Sequence, residues 1–180
     1  MADTESQYKQ ISSSCRELFA KKLEDYSPSW RILRVPSVTD QLLNKAKRIR
    51  QIEDSGVALV HDSVDSEFVG LVNYSIIGLI QLELHPVLQP DITTEEALAA
   101  YDKYMAETFR LMQMKNHDYG EAWRGMRISS ITDLILVKLY RIRQIEDHMG
   151  KTQVSEGIAS NYEDIINYAL FALIRLRYED

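Results

Sequence analysis

Apolar residues recur along this chain in steps of three and four. Tyr8, Ile11, Cys15, Leu18, Phe19 and Leu23 share one helical face within residues 5–24. Val38, Leu42, Ala46, Ile49 and Ile52 define a second face, and Ile131, Ile135, Leu139, Ile142 and Ile145 repeat the same steps later. Lys and Arg fill the other faces of both runs, which predicts amphipathic helices. Two further stretches, 68–84 and 162–176, are apolar on nearly every side and are expected at the centre of the fold. Their length, and the spacing of Tyr162, Ile166, Ala169, Leu173 and Leu176, favour helix over buried strand. Pro28 in YSPSW ends the first helix. Ser55-Gly56 and Met149-Gly150 read as later stops. Ser37 with Asp40, Ser130 with Asp133, and Thr93 with Glu96 each fit a capping box, and so mark three helix starts. The third of these helices, with Ala97, Ala100, Tyr104, Phe109 and Met112, is predicted to end near Lys115.

The pattern is written twice. Residues 26–54 and 119–147 match at a spacing of 93, with Tyr26/Tyr119, Trp30/Trp123, Arg31/Arg124, Lys45/Lys138 and the whole run Arg48–Asp54/Arg141–Asp147 identical. Lys22/Lys115 and Asp25/Asp118 extend the match upstream. After one inserted residue, Asn73-Tyr74 pairs with Asn167-Tyr168. The chain is a tandem duplication. The expected fold is all-α: residues 1–88 and 89–180 form two three-helix units, joined through HPVLQPDITT, in one compact bundle with a pseudo-twofold axis. Two nearly all-apolar helices cannot easily be hidden unless they pack together, so one compact bundle is expected rather than two separate beads. Asn73 and Asn167, retained amid apolar positions, are expected to be buried and hydrogen-bonded.

Composition narrows the function. A net charge of −6 argues against a general nucleic-acid or anionic-membrane binder, although a local basic pocket for a free nucleotide remains open. The lone Cys15, the start MADTESQYKQ without an apolar run, and the lack of a long uncharged apolar stretch make a cytoplasmic protein the expectation. His61, His85, His117 and His148 lack ligand spacing for zinc. No Gly-rich phosphate loop is present.

Folding the last two helices back on each other places Asp164 opposite Arg141 and Asn167 opposite Lys138. Two cations then meet an acid and an amide beside an apolar helix. One reading is a salt bridge that sets helix register. The other is a phosphate pocket, with lysine as a point charge and arginine as a fork. Lys115 and Asp118, in KNHDYG, close the preceding helix. Tyr119 and Trp123 could stack on a base or simply pack.

KNHDYG, followed by K-x-x-R (Lys138, Arg141) and D-x-x-N-Y (Asp164, Asn167, Tyr168), resembles the nucleotide-modification-associated domain, type 1, over about residues 100–177 and more faintly over 8–84. The helical layout is also similar to MazG-type all-α nucleoside triphosphate pyrophosphohydrolases. These resemblances imply a nucleotide as small-molecule partner and, in the MazG-like case, Mg²⁺ as cofactor. The implied site has Asp118, Lys138, Arg141 and Asp164 as catalytic residues, with Asp118 and Asp164 holding the metal. Lys115, Tyr119, Trp123 and Asn167 would bind substrate. This sequence departs from the MazG pattern, which converges about four carboxylates on the metal, by having Arg141 where a Glu is needed. Glu146, Asp147, Glu156 and Glu163 are further acids in the region. Copy one has Gly70 for Asp164 and Ser27 for Gly120. It is therefore expected to be structural, with the site in copy two and Lys45 and Arg48 reaching it across the axis. The competing expectation is a non-catalytic nucleotide sensor or a homo-oligomeric scaffold.

Overall fold

The computed structural model describes residues 3–56, 63–149, 151 and 157–179. His61, Asp62, Gly150 and Glu156 lie outside them. The described residues form six helices and no strand: α1 (Thr4–Tyr26), α2 (Val35–Ser55), α3 (Val64–Leu84), α4 (Thr94–Tyr119), α5 (Ile128–Asp147) and α6 (Ile158–Tyr178). Short 3₁₀ turns at Ser29–Ile32 and Ala122–Gly125 bridge α1 to α2 and α4 to α5. The first follows Pro28, which cannot continue α1.

Thr93 caps α4 through the expected reciprocal bonds with Glu96. The capping boxes expected at Ser37 and Ser130 do not form. α2 starts at Val35 after an extended Arg34, with Pro36 in its first turn, and α5 starts at Ile128 after an extended Arg127. Both helices thus begin earlier, where the 3₁₀ turns release the chain, and the serines fall inside the first turn. Proline suits that position because its fixed φ is already helical and its missing N–H has no partner to lose there.

α3 and α6 form the middle layer, packed on each other, with α2 and α5 on one side and α1 and α4 on the other. One apolar core draws on all six helices. Gly78 of α3 sets the closest approach: a Cβ there would stand 2.9 Å from the ring of Tyr162 on α6. α3 is, among the described helices, the one long and apolar enough to cross a membrane, and most of it is covered by its neighbours.

Reciprocal polar contacts express the pseudo-twofold relation. Tyr8 of α1 donates to Asn167 Oδ1 of α6 at 2.8 Å, and its counterpart Tyr101 of α4 donates to Asn73 Oδ1 of α3 at 2.8 Å. Asn167 Nδ2 donates to the Thr108 carbonyl, and Asn73 Nδ2 to the Cys15 carbonyl. Both asparagines are therefore buried and satisfied, as their recurrence in apolar helices required. On the opposite layer, Thr39 donates to Glu146 and Thr132 to Glu53, which fixes α2 and α5 as antiparallel. Each unit thus fastens the other.

Candidate functional site

Three of the residues singled out in the second unit converge. Lys115, near the end of α4, places Nζ 2.7 Å from Asp164 Oδ1. Lys138, midway along α5, places Nζ 2.8 Å from Asp164 Oδ2. Asp164 is 7% exposed, so each carboxylate oxygen is engaged by an ammonium where water has little access. Arg141 does not face Asp164. It is exposed, and the register of α5 against α6 brings Lys138, three residues earlier, level with Asp164 in its place. The expected pairing of Lys138 with Asn167 fails for the same reason, and Asn167 is committed to Tyr8 and Thr108 instead.

Asp118 projects from the end of α4 with its side chain 69% exposed, 3.0 Å from His117 Nδ1. Tyr119 beside it is also exposed. Trp123 is buried: Phe171 stacks on its ring at 4.2 Å, and the Arg124 guanidinium lies 4.4 Å from the ring centroid. Its ring contacts are thus already made within the protein. Lys45 and Arg48, expected to reach across the axis, pair with Glu67 of their own unit.

These side chains do not fit a Mg²⁺ ion. Asp164 is already neutralised by two ammonium groups that would repel a dication, and Asp118 stands apart on the surface. Among the described residues no group of three or more His, Cys, Asp and Glu is placed to hold a metal. Magnesium bound to a triphosphate needs converging oxygen ligands to offset charge, and this arrangement offers one compensated carboxylate.

The corresponding place in the first unit is open. A cavity of about 510 Å³ lies among the end of α1, the 3₁₀ turn and the faces of α2 and α3, within the ~300–1,000 Å³ usual for small-molecule sites. Lys22, Lys45, Tyr26, Trp30, Gly70 and Tyr74 line it. They are the repeat counterparts of Lys115, Lys138, Tyr119, Trp123, Asp164 and Tyr168. Two substitutions and one reoriented side chain account for the opening. Gly70 removes the carboxylate that clamps the two lysines. Ile77 stands where Phe171 would stack, so Trp30 is only partly buried and lines the cavity. Arg31, the counterpart of Arg124, turns away to Gln81 and Asp91 and is 1% exposed. Glu67, one turn before Gly70, supplies the unit's acid instead. It binds Arg48 and lies 3.7 Å from Lys45. Lys45 also stands 5.3 Å from the centroid of the Tyr74 ring.

The cavity combines aromatic faces with two ammonium groups, and one of these, Lys22, has no ion-pair partner among the described residues. Such a lining suits a ligand with a flat ring at one end and negative charge at the other. The acids drew the expectation of a site to copy two, whereas this cavity lies in copy one. The repeat alignment held the signal: the same lysines and tryptophan in both copies, with glycine in place of the acid. Two stretches, residues 22–82 and 115–176, each match the model of the nucleotide modification associated domain 1 family, together well over half of the chain. No curated protein and no solved structure matches it.

Proposed function

The chain belongs to the nucleotide modification associated domain 1 family, and on that premise we propose that it binds a nucleotide in the cavity of its first unit without hydrolysing it. The carrying observation is the pairing, in one cavity, of the partly buried Trp30 and the exposed Tyr26 with Lys22 and Lys45. A base stacked on an aromatic side chain gains roughly 1–3 kcal/mol. Ammonium groups in the same cavity attract phosphate oxygens. The second unit supports the first by lending Tyr101 to the Asn73 clasp behind the cavity. The donor set supports a binding role, since among the described residues lining the cavity Glu67 is the one acid, and water activation of this kind uses paired carboxylates. A reducing cytoplasm fits this reading, with Cys15 kept as a buried thiol whose pKa burial pushes up to about 12.

The test is calorimetric titration of the intact protein with ribo- and deoxynucleoside mono-, di- and triphosphates, with Mg²⁺ present and absent. Saturable binding that weakens at least tenfold in Trp30→Ala is expected. Trp123→Ala, carrying the counterpart change, serves as the comparison and should leave affinity largely intact once folding is checked by circular dichroism. Phosphate or pyrophosphate release under the same conditions would overturn the binding-only reading. Equal loss in both tryptophan variants would remove the cavity from it.

A further inference from the structure

The duplicated chain contains a template for its own ligand. In the second unit an anion of known position, the Asp164 carboxylate, sits between Lys115 and Lys138 at 2.7 and 2.8 Å. In the first unit the counterpart lysines remain, the carboxylate is absent, Lys45 folds over Gly70 in its stead, and both lysines and Gly70 line one cavity. We infer that the first unit holds an anion subsite over Gly70, between Lys22 and Lys45, that takes one phosphate group of a small ligand, and that Asp164 fills the equivalent subsite of the second unit from within the chain. The inference rests on the nucleotide reading for the rest of the ligand, but the anion subsite stands on its own geometry. It gives one ligand per chain despite two repeats.

Three features of the first unit bear on this subsite. Lys45 lies folded over Gly70: a Cβ there would meet its Cδ and Cε at 3.0 Å and Nζ at 3.1 Å. The contacts are with the far end of a flexible side chain, so an aspartate could enter by displacing the ammonium into an ion pair like that of the second unit. Glu67 is the acid nearest to Lys45 and competes for it at 3.7 Å, although Arg48 holds the other oxygen. Lys22 is exposed at the rim and free to swing onto an incoming anion.

The experiment compares a nucleoside, its monophosphate and inorganic pyrophosphate by calorimetry on the parent protein and on Gly70→Asp, Lys22→Met, Glu67→Gln and Asp164→Gly. The monophosphate should bind at least tenfold more tightly than the nucleoside. Gly70→Asp and Lys22→Met should each remove that advantage, Glu67→Gln should increase it, and Asp164→Gly should raise the pyrophosphate stoichiometry from one toward two. Lys22→Met lies on the surface and reports even if Gly70→Asp folds poorly. Equal affinity for nucleoside and monophosphate, unaffected by these changes, would overturn the anion subsite while leaving a nucleoside site standing. Pyrophosphate binding that Gly70→Asp abolishes, with no response to any nucleoside or nucleotide, would instead keep the subsite and end the nucleotide reading. Absence of binding by all three ligands would end both.

Discussion

Tyr8→Phe tests the reciprocal clasp most directly. Tyr8 is 1% exposed, and its hydroxyl donates to Asn167 Oδ1 at 2.8 Å deep between α1 and α6. Phenylalanine keeps the ring in contact with Phe109 and removes just the donor. Asn167 Oδ1 is then left without a partner where no water reaches it. Stranding a buried acceptor costs about 1–3 kcal/mol, and a chain of this length loses about 2–4 °C in Tm per kcal/mol. The expected loss is therefore about 2–12 °C, and Tyr101→Phe should match it because Tyr101 makes the same bond to Asn73. Tyr104→Phe is the control, since its hydroxyl reaches Glu83 at the surface, and it should stay within about 0.5 kcal/mol. Thermal and urea unfolding followed by circular dichroism give the Tm shifts and the free energies for all three variants. If both clasp variants lose no more than the control, the hydroxyls do not stabilise the fold. A second readout is alkaline titration. Burial pushes both phenol pKa values far above the ordinary tyrosine value. The folded state thus holds these protons more tightly than the unfolded chain. That share of stability is intact below about pH 10 and is lost as pH rises beyond it.

Further outcomes follow from the same contacts. Glu53 and Glu146 are held above the usual glutamate pKa, first by desolvation and then by neighbouring aspartates, with Thr132 and Thr39 opposing. A raised folded pKa means their stabilising contribution is present below the ordinary glutamate value and lost as pH rises through the folded one. Glu53→Gln and Glu146→Gln, which keep the acceptor for threonine, should raise Tm at pH 7, with a gain that shrinks on acidification; a gain independent of pH would refute this. Gly78→Val should cost about 1–3 kcal/mol in urea unfolding, because its side chain overlaps the Tyr162 ring, whereas Gly125→Val, with open space around it, should not. Asp164→Asn should lower Tm by leaving Lys138, whose side chain is 18% exposed, without its counter-charge. An unchanged melting curve would mean that the triad contributes nothing.

What the sequence determined by itself is the repeat and its helices. Period-3.6 faces at Val38–Ile52 and Ile131–Ile145, and the all-round apolar character of α3 and α6, leave one arrangement that removes so much apolar surface from water. The recurrence of Asn73 and Asn167 in those helices announced buried partners, although not that each partner would come from the other unit. Spacing along a chain says which residues share a face, but not the rotation of one helix against the next. Roughly 100° separates successive residues, so a small error in register exchanged Lys138 for Arg141 opposite Asp164. Helix starts shifted for a similar reason: the 3₁₀ turns, set by Pro28 and by packing, decided where α2 and α5 begin. The location of the cavity also belonged to the tertiary structure. Gly70, Ile77 and the turned-away Arg31 are scattered through the first repeat; the sequence shows the first two as isolated substitutions and gives no sign of the third. Together they vacate one volume. Only the packed chain brings those three changes to one place, beside the two lysines and the tryptophan that both repeats keep.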